Sequence, residues 1–211
     1  MKKLLIALVV VAIASVAQAE LLATWTFADG ASTVAKNALA ANIDKVTFGE
    51  LTRVNLGTSS TGADQFAANN WTAAANGISL AVTVNAGFEI AGATIGVGGL
   101  NGSNTGPGTL QWSLNGTDVG GTWTVAYNSG SSVTTPIQVG TIGAGANTLF
   151  LRSTGGQVGT PTGTPATAGS ARLLNNLTMS GDIQPAIPEP ATMGLLGLGA
   201  LALALRRKMS K

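Results

Sequence analysis

Whatever acid–base chemistry this 211-residue chain performs falls mainly to nine carboxylates, since it holds no histidine and no cysteine. That excludes Ser-His-Asp and Cys-His catalysis and histidine-ligated zinc. Two carboxylates flanking a sugar bond would suffice for glycoside hydrolysis. The acids here are scattered beside turns: Asp29 before Gly30, Asp118 after a hairpin, Asp182 after the last strand. Such positions keep carboxylates solvated, so no catalytic residue is assigned. Calcium would need acids and backbone carbonyls gathered in one loop. Asp29, Asp118 and Asp182 form no dense acidic loop, so neither a metal site nor a cofactor is expected. No P-loop is present, and Gly96-Val97-Gly98-Gly99 lacks the strand–turn–helix setting of a dinucleotide site.

Sugar stacking is the other chemistry the residue types allow. Four tryptophans and one tyrosine could build a flat platform. Trp25, Trp112 and Trp123 each lie in phase with aliphatic neighbours, which places them in a core. Trp71 stands in a polar, irregular segment and is the candidate exposed ring, hence the candidate sugar contact.

These residues must be positioned by strands. Ala23, Trp25 and Phe27 alternate with Thr24 and Thr26, and Asp29-Gly30 closes the run. Residues 31–45 are Ala-rich and predict a short helix or a loop. Val46–Phe48 and Leu51–Val54 predict short strands. Residues 57–77 read as irregular, with Phe66 and Trp71 as anchors on the core. The clearest alternation is Ile78, Leu80, Val82 and Val84 against Ser79, Ala81 and Thr83. Phe88–Ile90 then leads to Ala93–Val97, and residues 98–108 read as a loop. Leu110, Trp112 and Leu114 come before Asn115-Gly116, a turn signal because both residues tolerate positive φ. Trp123, Val125 and Tyr127 continue after it. Val133–Ile142, Thr148–Arg152 and Leu173–Met179 complete the set, with residues 155–169 as a loop and Gly181 as the last stop. Eight or more short strands separated by turn residues predict an all-β antiparallel β-sandwich with a single core.

Both ends differ from this middle. Lys2 and Lys3 precede the apolar run Leu4–Ala14, and Ala17-Gln18-Ala19 places small residues where signal peptidase reads them. Residues 1–19 are therefore expected to be a signal peptide cleaved before Glu20. At the other end Pro188-Glu189-Pro190 opens an uncharged run, Ala191–Leu205, which stops at Arg206-Arg207-Lys208. The two prolines keep their segment extended. About 15 apolar residues make a short membrane span, with the three cations holding that end on the cytoplasmic side.

Removing both ends changes the charge. Lys36, Lys45, Arg53, Arg152 and Arg172 stand against Glu20, Asp29, Asp44, Glu50, Asp64, Glu89, Asp118 and Asp182. Five cations against eight acids leave −3, so nucleic acid is not an expected partner.

The order of motif, apolar helix and basic end resembles the PEP-CTERM sorting signal of Gram-negative bacteria that make extracellular polysaccharide. The matching residues are Pro188-Glu189-Pro190, Ala191-Thr192-Met193, the Leu/Gly/Ala run and Arg206, Arg207 and Lys208. The resemblance implies an exported protein held transiently at the inner membrane and cut at or near the motif by exosortase. Residues 78–181 also resemble the jelly-roll-like ectodomains found ahead of such tags, with Asn175 where those often carry aspartate. The expected organisation is thus a signal peptide at 1–19, a β-sandwich at 20–184 and a sorting tag at 185–211 with a single transmembrane helix. Signal peptidase and exosortase are the processing partners, and extracellular polysaccharide is the candidate ligand. The expected protein is non-enzymatic and ends at the cell surface or in the extracellular matrix. A carbohydrate-binding module is the alternative, and a glycoside hydrolase a distant third.

Overall fold

The computed structural model describes residues 19–27, 35–36, 44–59, 64–127, 135–158 and 165–186. Ala17, the motif 188–190, the apolar run 191–205 and Arg206, Arg207 and Lys208 lie outside the described residues. Among the described residues no helix is long and apolar enough to cross a membrane.

All regular structure in these residues is strand, arranged as two sheets. The larger sheet has eight strands and is built on two long ones, β7 (Phe88–Gly102) and β13 (Ser170–Pro185), which run antiparallel side by side. Each is long enough to carry two short strands along its other edge. Beside β7 lie β11 (Ile137–Ile142), antiparallel, and β10 (Ala126–Tyr127), which pairs parallel at Asn101 and Gly102. Beside β13 lie β1 (Glu20–Thr26) and β5 (Gln65–Asn69), extended outward by β2 (Ala35–Lys36) and β4 (Gly57–Thr58).

β13 passes from β5 to β1 through a bulge at Asn175, where φ is 66°. A short amide side chain tolerates that left-handed conformation better than most. The Asn175 N–H donates to Asp64 O at 2.7 Å, and its carbonyl accepts from the Phe27 N–H at 3.4 Å. The residue thus joins the two short strands to the long one, and no charged group is needed for that role.

The smaller sheet has five strands, β3 (Val46–Val54), β6 (Gly77–Val84), β12 (Gly145–Gln157), β8 (Pro107–Leu114) and β9 (Thr117–Thr124), in that spatial order and all antiparallel. Asn115 and Gly116 form the β8–β9 turn with φ of 51° and 86°. Both residues have positive φ, as a tight hairpin with native twist requires.

Period-two alternation sends one face of each sheet inward. Ile78, Leu80, Val82, Leu149, Leu151 and Trp112 on the smaller sheet share one buried cluster with Ile95, Leu100, Leu173, Leu177 and Met179 on the larger. Burial of these faces is the main force holding the layers together. Hydrogen bonds add a join at each side. Trp25 Nε1 donates to Gly49 O at 3.0 Å between β1 and β3, and Trp123 Nε1 donates to Thr135 O at 3.3 Å between β9 and the residues leading into β11.

The all-β, two-sheet architecture is the one the alternation predicts. Several boundaries differ. Val46–Phe48 and Leu51–Val54 are one strand, interrupted by a bulge between Phe48 and Leu51. Residues 98–102 belong to β7 and residues 155–157 to β12. β4 and β5 occupy part of the segment 57–77. Two residues of the 31–45 segment form β2. Gly181 does not end the last strand: β13 continues through it to Pro185.

Candidate functional site

The tryptophans divide differently from the sequence expectation. Trp25 and Trp112 are fully buried and Trp123 nearly so, with Trp112 and Trp123 meeting edge to face at 6.0 Å. These three are core residues, as their phase requires. Trp71, read both as an anchor on the core and as the candidate exposed ring, is only 1% exposed, so it is an anchor and not a sugar contact. The burial of this ring has a local cause. Asn70 has φ 66°, which turns the chain inward just before the ring. Asn70 N–H donates to Thr167 O at 2.8 Å and its side chain to Asn55 O at 3.0 Å, while Asn76 Nδ2 donates to Asn70 O at 2.6 Å. Trp71 Nε1 then satisfies itself on Ala68 O at 2.8 Å. The polar residues around Trp71 hold the turn and leave the ring inside. It is not available to stack on a sugar.

The cut expected between Ala19 and Glu20 falls at two exposed residues, with Glu20 opening β1 opposite Gly181. Among the acids, Asp118 on β9 is held by Arg152 on β12 through Nη2 contacts of 2.7 and 2.9 Å. Asp182 lies inside β13 opposite Ala91, not beyond the strand end. Among the described residues no three or more His, Cys, Asp or Glu side chains converge as a metal site would require. Asp29 lies outside them.

Arg53 is a cation that the alternation alone does not single out. It points inward from β3, with its guanidinium 3.8 Å from the Phe66 ring centroid. Nε and Nη2 both donate to Ala67 O, at 3.0 and 2.9 Å. Burial pushes its pKa below the ordinary arginine value. Stacking and two hydrogen bonds offset part of that desolvation cost, so Arg53 ties β3 to β5 across the sandwich.

The most developed surface arrangement lies on the outer face of the smaller sheet. Leu149 and Leu151 point into the core, so Phe150 points outward. Strand register puts Thr52, Ser79, Phe150, Ser113 and Asp118 in one row across all five strands. The next row is Val54, Gly77, Arg152, Gln111 and Thr122. The Phe150 ring lies down across Gly77: a Cβ placed there would fall 2.5 Å from the ring and 2.3 Å from Leu151 O. Gly77→Ala should therefore displace both the ring and the ladder, costing about 1–3 kcal/mol in urea unfolding. A melt equal to the parent's would show that the ring does not rest there.

The family model described as the PEP-CTERM protein-sorting motif matches residues 186–208. The chain carries a PEP-CTERM sorting tag. That tag marks an exported protein that exosortase processes. A search of curated proteins returns no match. Two solved structures are similar. One is a Paenibacillus xanthan lyase, 17% identical over 66% of this chain and 13% of that chain, with a TM-score of 0.35. The other is the N-terminal CBM22-1–CBM22-2 tandem of Paenibacillus barcinonensis Xyn10C, 16% identical over 82% of this chain and 47% of that chain, with a TM-score of 0.42. The chain thus spans less than half of either neighbour.

Proposed function

We propose that this chain is a non-enzymatic exported β-sandwich, held at the inner membrane by residues 191–205 and released by exosortase to the cell surface or extracellular matrix. The supporting observation is the match at 186–208, which starts where the described fold ends. β13 closes at Pro185, and the Ala186 N–H donates to Gly87 O at 2.9 Å. Pro188 follows two residues later, so a cut at the motif leaves both sheets intact. In this reading Pro188, Glu189 and Pro190 are what exosortase recognises. Arg206, Arg207 and Lys208 set orientation against the anionic cytoplasmic leaflet. Signal peptidase acts first, between Ala19 and Glu20.

Deleting residues 191–211 tests this. The truncated protein should leave the membrane fraction for the periplasm or medium, with a thermal midpoint equal to that of the mature protein. Aggregation or loss of the truncated chain would make the tail part of the fold and sink the reading. Intact-mass spectrometry of protein from its own host should show both ends missing. Full-length protein persisting in the envelope would count equally against it.

A further inference from the structure

We propose that the outer face of the five-stranded sheet binds a neutral polysaccharide chain, with Phe150 as the stacking ring and Gln111, Arg152 and Asp118 as hydroxyl partners. This goes beyond sorting and does not depend on it, since the face belongs wholly to the folded domain. Three features of the surface carry it.

The first is the ring. Phe150 lies against a glycine on the neighbouring strand, which supports the ring, and the side chain is only partly buried. A pyranose presents an apolar C–H face of comparable size, and an aromatic face with partial negative charge attracts those hydrogens. The second is the polar rim. Arg152 and Gln111 are direct cross-strand neighbours in the row beside Phe150, and Asp118 closes the ring's own row. A guanidinium, an amide and a carboxylate are planar groups that can each engage two neighbouring hydroxyls at once. All are fixed on strands, not loops, so little ordering entropy is lost on binding. The strand spacing of about 4.8 Å matches the rise of one sugar unit, so a chain laid across the five strands meets a new side chain at each step.

The third is charge. Asp118 and Arg152 are the charges of the two rows, and they neutralise each other through paired contacts of 2.7 and 2.9 Å. The patch therefore has no net field to attract a polyanion such as a nucleic acid or an acidic glycan. Of the remaining hydroxyl residues Thr52 and Thr122 are exposed and Ser79 partly so, while Ser113 is buried between them. This is a hydroxyl-rich surface with one ring. It suits a neutral, polyhydroxylated, one-dimensional ligand better than the apolar centre of a protein interface.

Affinity electrophoresis of the full chain in mild detergent and about 0.15 M salt, which screens the basic residues of its two ends, through native gels cast with soluble hydroxyethylcellulose or with alginate, tests the proposal. Retardation is expected in the neutral gel and not in alginate. Phe150→Ala should weaken it about tenfold, the scale of one lost aromatic contact. Because that variant also uncovers Gly77, Gln111→Ala provides the second arm: retardation should weaken several-fold at an unchanged thermal midpoint. No retardation in the neutral gel, retardation by alginate alone, or retardation that both substitutions leave intact would each overturn it.

Discussion

Trp25→Ala is expected to lower the unfolding free energy by about 3–5 kcal/mol, the range for deleting a large ring from a packed core. Domains of this size are stable by only about 5–15 kcal/mol, so a large part of the folded population's margin would go. Trp25 is fully buried on β1, opposite Leu177, and meets Phe48 of the other sheet edge to face at 6.0 Å. Its indole N–H also reaches the Gly49 carbonyl. Gly49 lies in the β3 bulge between Phe48 and Leu51, outside the regular β3–β6 register, so Trp25 supplies that carbonyl with a donor from the opposite layer. Alanine removes the area, the ring contact and the donor together. Trp25→Phe keeps an aromatic body and loses the donor, and should cost about 1 kcal/mol more than its lost volume alone. Urea unfolding followed by far-UV circular dichroism separates the two variants. If Trp25→Ala stays within about 1 kcal/mol of the parent, β1 and β3 are not joined in the way described.

The strands were legible where alternation was clean. Ile78–Val84 reads correctly because every second residue is aliphatic and the whole run is buried on that side. Glycine misled. Gly98, Gly99 and Gly102 read as loop, yet they lie in β7, where a Cβ on Gly98 would sit 2.9 Å from Asn175 and one on Gly102 would sit 2.6 Å from Ser170 O. Gly181 read as a stop, yet a Cβ there would fall 2.6 Å from Ile90. In this fold many glycines mark close backbone approach inside a sheet, a signal identical in sequence to a turn. The end-to-end placement of β1 and β5 along β13 was not legible at all, because pairing between residues more than a hundred positions apart leaves no local trace. Phe150 was hidden differently. Leu149-Phe150-Leu151 reads as one apolar run, although parity alone puts the middle residue on the opposite face from its neighbours. Trp71 shows the converse: polar neighbours signalled a surface, when they were the hydrogen-bond frame of an inward turn.

That frame leads to the second large effect, for Trp71→Ala. A ring on the surface would cost less than about 0.5 kcal/mol to remove. A ring that is 1% exposed, with its N–H satisfied by Ala68 O, should cost about 3–5 kcal/mol. The penalty should also spread outward. Asn55, Asn70 and Asn76 hold the turn through Asn70 Nδ2 to Asn55 O, Asn55 Nδ2 to Ala75 O and Asn76 Nδ2 to Asn70 O, and the buried ring fixes the loop they close. Hydrogen exchange should therefore rise at the Asn70 and Asn76 amides, bonded to Thr167 O and Ala73 O, before the rest of the sandwich opens. Any loss of polysaccharide retention in this variant should follow the loss of folded protein, whereas for Gln111→Ala it should appear in fully folded protein. A Trp71→Ala melt that overlays the parent's, with weakened retention, would move the ring to the surface and restore it as a sugar contact.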